Sequence, residues 1–180
     1  MKKNILIIST SPRKGGNSDL LADEFLRGVK ETENTVEKIT LHDKTIGFCR
    51  GCLACQTTGK CVIKDDANAI VEQILHADVL VFATPVYFFE MSGQMKTLLD
   101  RTNPLFPTDY KFREIYLLAA AGEEEEHSVD GTVHGLQGWI DCFGKAKLAG
   151  VVRGVNSVVK GDIQKNITAL TTAYEMGKNV

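Results

Sequence analysis

Hydrophobic residues along this chain fall into two rhythms. Short apolar runs at Ile5–Ser9, Val36–Leu41, Val79–Ala83, Ile115–Ala120 and Leu148–Val152 predict strands. Near-continuous runs of that kind suit parallel strands covered on both faces, because neither face meets water. Between them, apolar residues recur three and four apart and predict helices. The stripes are Leu20, Leu21, Phe25, Val29; Ile70, Val71, Ile74, Leu75; Met95, Leu98, Leu99; Leu136, Ile140, Phe143; and Ile163, Ile167, Leu170, Tyr174. Asp65 or Asp66 is a fitting cap for the second helix and Ser92 for the third.

Strands alternating with helices predict an α/β fold, a doubly wound five-stranded parallel sheet with helices on both faces. Right-handed crossovers leave few topologies, and we expect the order 2-1-3-4-5. Ligands of such sheets sit at the carboxyl ends of the strands, where the order reverses. Here that point lies between strands 1 and 3, so the loops after Ser9 and Ala83 are the ones to examine. The chain reads as a single domain, 1–180, with one long connection at 43–64 that predicts no element of its own. Loops of that length inside a domain usually carry function.

Charge narrows the partners. Twenty-one basic and 23 acidic residues give a net charge of −2, which makes no electrostatic case for nucleic acid or an anionic membrane. The apolar runs are too short to span a bilayer. The apolar stretch after Met1-Lys2-Lys3-Asn4 is only Ile5–Ile8, too short for a signal-peptide core, so the expected location is cytoplasmic.

The first loop reads Ser9-Thr10-Ser11-Pro12-Arg13-Lys14-Gly15-Gly16-Asn17-Ser18. Ser11 and Ser18 bring hydroxyls, Asn17 an amide and Arg13 a guanidinium. Gly15 and Gly16 let backbone N–H groups turn inward, and a helix starting near Asn17 adds its free N–H groups and dipole. This suits a phosphate; it also suits a polar turn with a helix cap. It is neither G-x-G-x-x-G nor a Walker A loop, which disfavours a dinucleotide Rossmann site and a P-loop nucleotidase.

The second loop reads Thr84-Pro85-Val86-Tyr87-Phe88-Phe89-Glu90-Met91-Ser92-Gly93. Aromatics and a proline at a strand's carboxyl end offer the apolar, flat-walled slot that a ring system needs. Tyr87 is expected at the site, and Phe89 in the core or at a subunit interface.

With these residues in view, Ser11-Pro-Arg-Lys-Gly-Gly-Asn-Ser18, Pro85-Val-Tyr87 and Gly93-x-x-Lys96-x-x-x-Asp100-Arg101 resemble the NAD(P)H-dependent FMN reductase family. The likeness covers roughly the first 100 residues and thereafter only the architecture. It implies a flavodoxin-like fold and a homodimer or higher homo-oligomer. By the same likeness Ser11, Arg13, Asn17 and Ser18 hold the FMN phosphate. Pro85, Val86, Tyr87 and Phe88 line the ribityl chain and ring, and Ala121 and Gly122 touch the flavin edge. No catalytic side chain is implied, since the flavin carries the chemistry. Lys96, Asp100 and Arg101 read as a helix salt bridge or a dimer contact.

Four of the five cysteines lie within thirteen residues, as Cys49-x-x-Cys52-x-x-Cys55-x₅-Cys61. Crowded cysteines point to metal, cluster or redox chemistry rather than a disulfide framework. Two successive C-x-x-C steps present three thiolates to one cluster, and a fourth closes the site. The run resembles that of the iron–sulfur flavoproteins, whose cysteines hold a 4Fe–4S cluster. Zinc, a redox disulfide or a run that binds nothing remain open. Cys142, beside Phe143, is expected to be a buried structural thiol.

The run Glu123-Glu124-Glu125-Glu126-His127 departs from the glycine-rich pattern of relatives. It reads as a solvated acidic loop that would repel the extra phosphate of NADPH. His127 and His134 have no named partner. The expected function is an FMN-dependent oxidoreductase. Its donor would be NAD(P)H or a reduced ferredoxin, and its acceptor a quinone, flavin or protein. The alternatives are an electron-transfer flavoprotein without a small substrate, and a thiol or metal redox sensor on the same scaffold.

Overall fold

Successive residues of strand β1 (Asn4–Ser9) face opposite sides of the sheet, and both sides are apolar. Ile5 and Ile7 enter one core and Leu6 and Ile8 the other, so none of these four positions tolerates a polar side chain. The computed structural model describes residues 2–180. After β1 come α1 (Asn17–Val29), β2 (Thr35–Thr40), α2 (Ala54–Thr58), α3 (Ala67–His76), β3 (Val79–Tyr87), β4 (Glu90–Met91) and α4 (Gly93–Asp100). The chain continues through β5 (Glu114–Ala120), α5 (Asp130–Ile140), β6 (Lys147–Gly154) and α6 (Ile167–Lys178).

The parallel strands lie in the order β2-β1-β3-β5-β6, which is the expected 2-1-3-4-5 order. All four neighbouring pairs are parallel. Strand β4 was not expected. It pairs antiparallel with the end of β3, Val86 opposite Met91 and Tyr87 opposite Glu90. Helices α1 and α6 cover one face through Leu21, Phe25, Ala169 and Ala173. Helices α3, α4 and α5 cover the other through Ile70, Ile74, Met95, Leu98, Leu136 and Ile140. Among the described residues, no helix is long and apolar enough to cross a membrane.

Four expectations are corrected. The connection 43–64, expected to hold no element, carries the short helix α2 over Ala54–Thr58. The last helix begins at Ile167, and Ile163 lies before it in a buried 3-10 turn. Its buried face is Ala169, Ala173 and Gly177, whereas Ile167 is exposed. The cause is the close approach of α6 to α1. A Cβ on Gly177 would stand 2.1 Å from the Phe25 carbonyl, and one on Gly28 would stand 2.1 Å from the Tyr174 carbonyl. Small residues, not large ones, mark that contact. Phe143 lies beyond the end of α5, buried against Tyr110, Phe112 and Trp139. Cys142 is exposed rather than buried, because the turn after α5 directs Phe143 inward and its neighbour outward.

Candidate functional site

Strand β1 delivers its loop between β2 and β3 at the carboxyl edge of the sheet. The Thr10 N–H and hydroxyl both donate to the Ala83 carbonyl, at 2.8 and 3.0 Å. Ser11 Oγ accepts the Arg13 N–H and donates to the Arg13 carbonyl, which curls the chain tightly. Gly15 sits at φ +64, where a side chain is strained, and its N–H donates to Asp19. A Cβ on Gly16 would stand 2.5 Å from Ser11 Oγ. Helix α1 then begins, with N–H groups that have no acceptor within the helix.

Four expected phosphate residues lie here, in different surroundings. Arg13 is exposed. Ser11 shapes the turn. Ser18 is fully buried, and its Oγ has no hydrogen-bond partner among the described residues. The Asn17 side chain is committed elsewhere. Its amide donates to the Ser157 and Val159 carbonyls, and its oxygen accepts the Gly161 and Ile163 N–H groups. It staples the loop after β6 onto the start of α1. Asp19, buried beside this turn, pairs with Lys38 at 2.7 Å. Burial works to raise its pKa, but the Lys38 bond and the Gly15 N–H hold the carboxyl below its ordinary range.

The second loop is locked to the first by three buried hydroxyls. Ser92 Oγ lies 3.1 Å from Thr10 Oγ1 and 3.2 Å from Thr84 Oγ1. Ser92 also caps α4 as expected, accepting the Met95 N–H. Pro85 is buried, Val86 half-buried and Tyr87 exposed. Phe88 and Phe89 form the two-residue turn between β3 and β4, at φ +50 and +63. Turns of this kind favour Asn-Gly, so two aromatics there are strained. Phe88 is fully exposed at the tip. Phe89 is not a core residue: it is half exposed and stacks on His127. The hairpin seats on α5 at Gly131, where a Cβ would stand 2.2 Å from the Phe89 carbonyl.

A third wall follows β5. Ala121 is buried, donating to the Gly154 carbonyl and accepting the Ser157 N–H. Gly122 is exposed beside Val158. Glu123 to Glu126 are exposed, as expected of a solvated run. Sequence reasoning missed the loop after β6. It brings Val158 to Gly122 and Lys160 to Gly15. The signal was faint: Asn156 and Gly161 are turn residues, and both have positive φ here.

The cysteine run forms a loop on the same edge. Cys49 and Cys52 are exposed, Cys61 is half-buried, and Cys55 is buried in α2. Burial pushes the Cys55 thiol up, and the charges of Cys61, Cys49 and Cys52 push the same way. The Gly51 N–H points to Cys49 Sγ at 3.4 Å. The donor chemistry is that of a cluster or soft-metal site. As placed, though, no group of three or more His, Cys, Asp or Glu among the described residues stands close enough to hold a metal ion. A cavity of about 310 Å³ separates this loop from the start of α4, lined by Leu41, Ile46, Phe48, Gln94 and Thr97.

Arg101 was expected on a helix surface with Lys96 and Asp100. Lys96 and Asp100 do pair there, at 2.6 Å. Arg101 instead turns inward, fully buried. It donates to both oxygens of Asp65 and to the Gly47 and Ile63 carbonyls, gathering the two ends of the cysteine loop.

The first loop fits the phosphate of FMN. A buried serine hydroxyl without a partner and a helix start, beside a tight glycine turn, are groups that a bound phosphate would satisfy. An iron-sulfur flavoprotein of Methanocaldococcus jannaschii is 42% identical over 101 residues, 56% of this chain and 52% of that one. The chain thus spans about half the length of that relative. An iron-sulfur flavoprotein of Methanosarcina thermophila is 28% identical over 178 residues, 96% of this chain and 91% of that one. The fold matches an NAD(P)H:quinone oxidoreductase from Methanothermobacter marburgensis with a TM-score of 0.75 at 19% identity, covering 99% of this chain and 96% of that one. The family model described as NADPH-dependent FMN reductase matches residues 3–135, and this chain belongs to that family.

Proposed function

We propose that this chain is an FMN-dependent oxidoreductase drawing electrons from NAD(P)H or a reduced ferredoxin and delivering them to a quinone, flavin or protein acceptor. The observation that carries the reading is the orphaned, buried Ser18 hydroxyl at the start of α1, beside a glycine turn with no room for a side chain. FMN, when bound, supplies two-electron acceptance and one-electron release. The chain supplies binding and position. Ser11, Arg13 and Ser18, with the α1 N–H groups, hold the phosphate; Asn17 positions that site by holding the neighbouring loop. Pro85, Val86, Tyr87 and Phe88 wall the ring, and Ala121 and Gly122 meet its edge. The Thr10–Thr84–Ser92 hydroxyls keep the phosphate and ring walls in fixed register. The exposed Phe88, Val158 and Val159 around this edge favour a homo-oligomer.

The cysteine run belongs to the same reading. Cys49, Cys52, Cys55 and Cys61 are proposed as the donor set of a 4Fe–4S cluster, on the chemistry of four thiols in one short loop.

Purification without oxygen, followed by a visible spectrum, tests both cofactors. Flavin bands support FMN, and a broad brown shoulder supports the cluster. The enzyme reading expects NADH or NADPH oxidation with a quinone acceptor by the flavin-loaded chain. Reduction by a protein donor alone would favour an electron-transfer role. Arg13→Ala combined with Ser18→Ala should release the flavin; a chain that keeps it binds its phosphate elsewhere.

A further inference from the structure

We propose that Lys160, on the loop after β6, is a second cationic ligand of the phosphate and sets the preference for a phosphorylated over an unphosphorylated flavin. The inference rests on the FMN reading above. A methyl group placed on Gly15 would stand 3.4 Å from Lys160 Cε and 3.7 Å from Nζ, so the ammonium overhangs the glycine turn. Asn17 holds it there. Four hydrogen bonds tie the Asn17 amide to Ser157, Val159, Gly161 and Ile163, on both sides of Lys160.

The neighbouring carboxylates are already taken. Asp162 pairs with Lys165 at 2.8 Å and accepts the Val159 N–H. Asp19 pairs with Lys38 and accepts the Gly15 N–H. Lys160 is therefore left without a carboxylate partner among the described residues. The fold thus brings an unpaired ammonium over the turn that also holds Arg13 and the buried, unpartnered Ser18 hydroxyl. A dianionic phosphate answers all three. An ammonium is a compact point charge that needs no fixed fork geometry, so reach and placement are what the loop must provide.

Titration of the apo-protein with FMN and with riboflavin, followed by flavin fluorescence, tests this. The unaltered chain should bind FMN more tightly than riboflavin. Lys160→Gln should weaken FMN roughly tenfold, as expected for a lost charge-assisted contact, and leave riboflavin within about twofold. Lys160→Arg should restore most of the difference. An unchanged FMN affinity, or an equal loss for both flavins, overturns the role of Lys160 while the FMN reading stands. An unaltered chain that does not prefer FMN overturns the phosphate assignment itself, and Lys160 with it.

Discussion

Arg101 and Asp65, 36 positions apart, form a two-pronged ion pair in the interior, at 2.7 and 2.9 Å. The guanidinium side chain is wholly buried and the carboxylate nearly so. The two terminal guanidinium nitrogens also donate to the Gly47 and Ile63 carbonyls, and Asp65 accepts the Gly47 and Ala67 N–H groups. The pair closes the base of the cysteine loop. Removing one partner of such a pair leaves a buried charge uncompensated, which costs about 3–5 kcal/mol. Arg101→Met should therefore lower the urea midpoint substantially. It should also release the loop, so that Cys55 joins Cys49 and Cys52 among the thiols alkylated quickly in the native state. Mass mapping of the labelled cysteines decides this. A variant that keeps Cys55 protected would show that α2, not the ion pair, holds the loop.

The same pair predicts a pH dependence. Burial pushes the Asp65 carboxyl up. The Arg101 hydrogen bonds and charge, with the Gly47 and Ala67 N–H groups, outweigh it and hold the carboxyl below its ordinary 3.8. A group depressed in the folded state contributes stability that is complete above its ordinary value and lost as pH falls through the folded one. The urea midpoint should be insensitive to this pair above about pH 5 and fall below about pH 4. In Arg101→Met only the Gly47 and Ala67 N–H groups are left to oppose burial, so the carboxyl rises. The variant's deficit should narrow as pH drops from 7 towards 4. A deficit constant across that range would mean that Asp65 becomes solvated once Arg101 is gone.

Asn17 makes a separate case. Its loss removes four hydrogen bonds to backbone groups, of which the Ile163 N–H and the Ser157 carbonyl belong to buried residues. Unsatisfied buried groups cost about 1–3 kcal/mol each, so Asn17→Ala should destabilise the chain by at least a few kcal/mol. Hydrogen exchange localises the effect. The Gly161 and Ile163 amides should lose protection, while those of β1 and β3 keep theirs. Uniform loss across the sheet would show that the residue supports the whole fold rather than one loop.

What the sequence disclosed and what it hid follow from the range of the forces involved. The five parallel strands were legible in the buried runs, because a parallel strand advertises both covered faces in its own residues; their order followed from the alternation with helices and the few topologies that right-handed crossovers allow. The Ser92 cap was legible because a cap is a local event. The direction of Arg101 was not, since its partner lies 36 residues away and an arginine at a helix end reads equally well as exposed. The face of α6 was misread for the opposite reason to the usual one. Large apolar residues mark a helix face at ordinary spacing, but Gly28 and Gly177 draw α1 and α6 so close that only small residues fit between them. Asn17 looked like a phosphate ligand because amides suit phosphates. Its actual partners are backbone groups about 140 residues downstream, which no local pattern reveals.

The hairpin tip sets stability against binding. Phe88 holds φ +50 with no packing to repay it, since its side chain is fully exposed. A bulky residue in the left-handed region costs of order 1 kcal/mol or more. Asparagine tolerates that conformation far better. Phe88→Asn should therefore raise the melting temperature by a few degrees, an outcome that most surface substitutions do not give. The same change removes an aromatic from the proposed ring wall. Flavin affinity should fall for FMN and riboflavin alike, because the ring is common to both, unlike the phosphate contact assigned to Lys160. The two measurements separate the possible roles. A higher melting temperature with unchanged affinity would leave the strained turn without a part in ring binding and point to a contact between copies of the chain. A higher melting temperature with weaker binding of both flavins would identify the strain as the cost of presenting Phe88 to the ring.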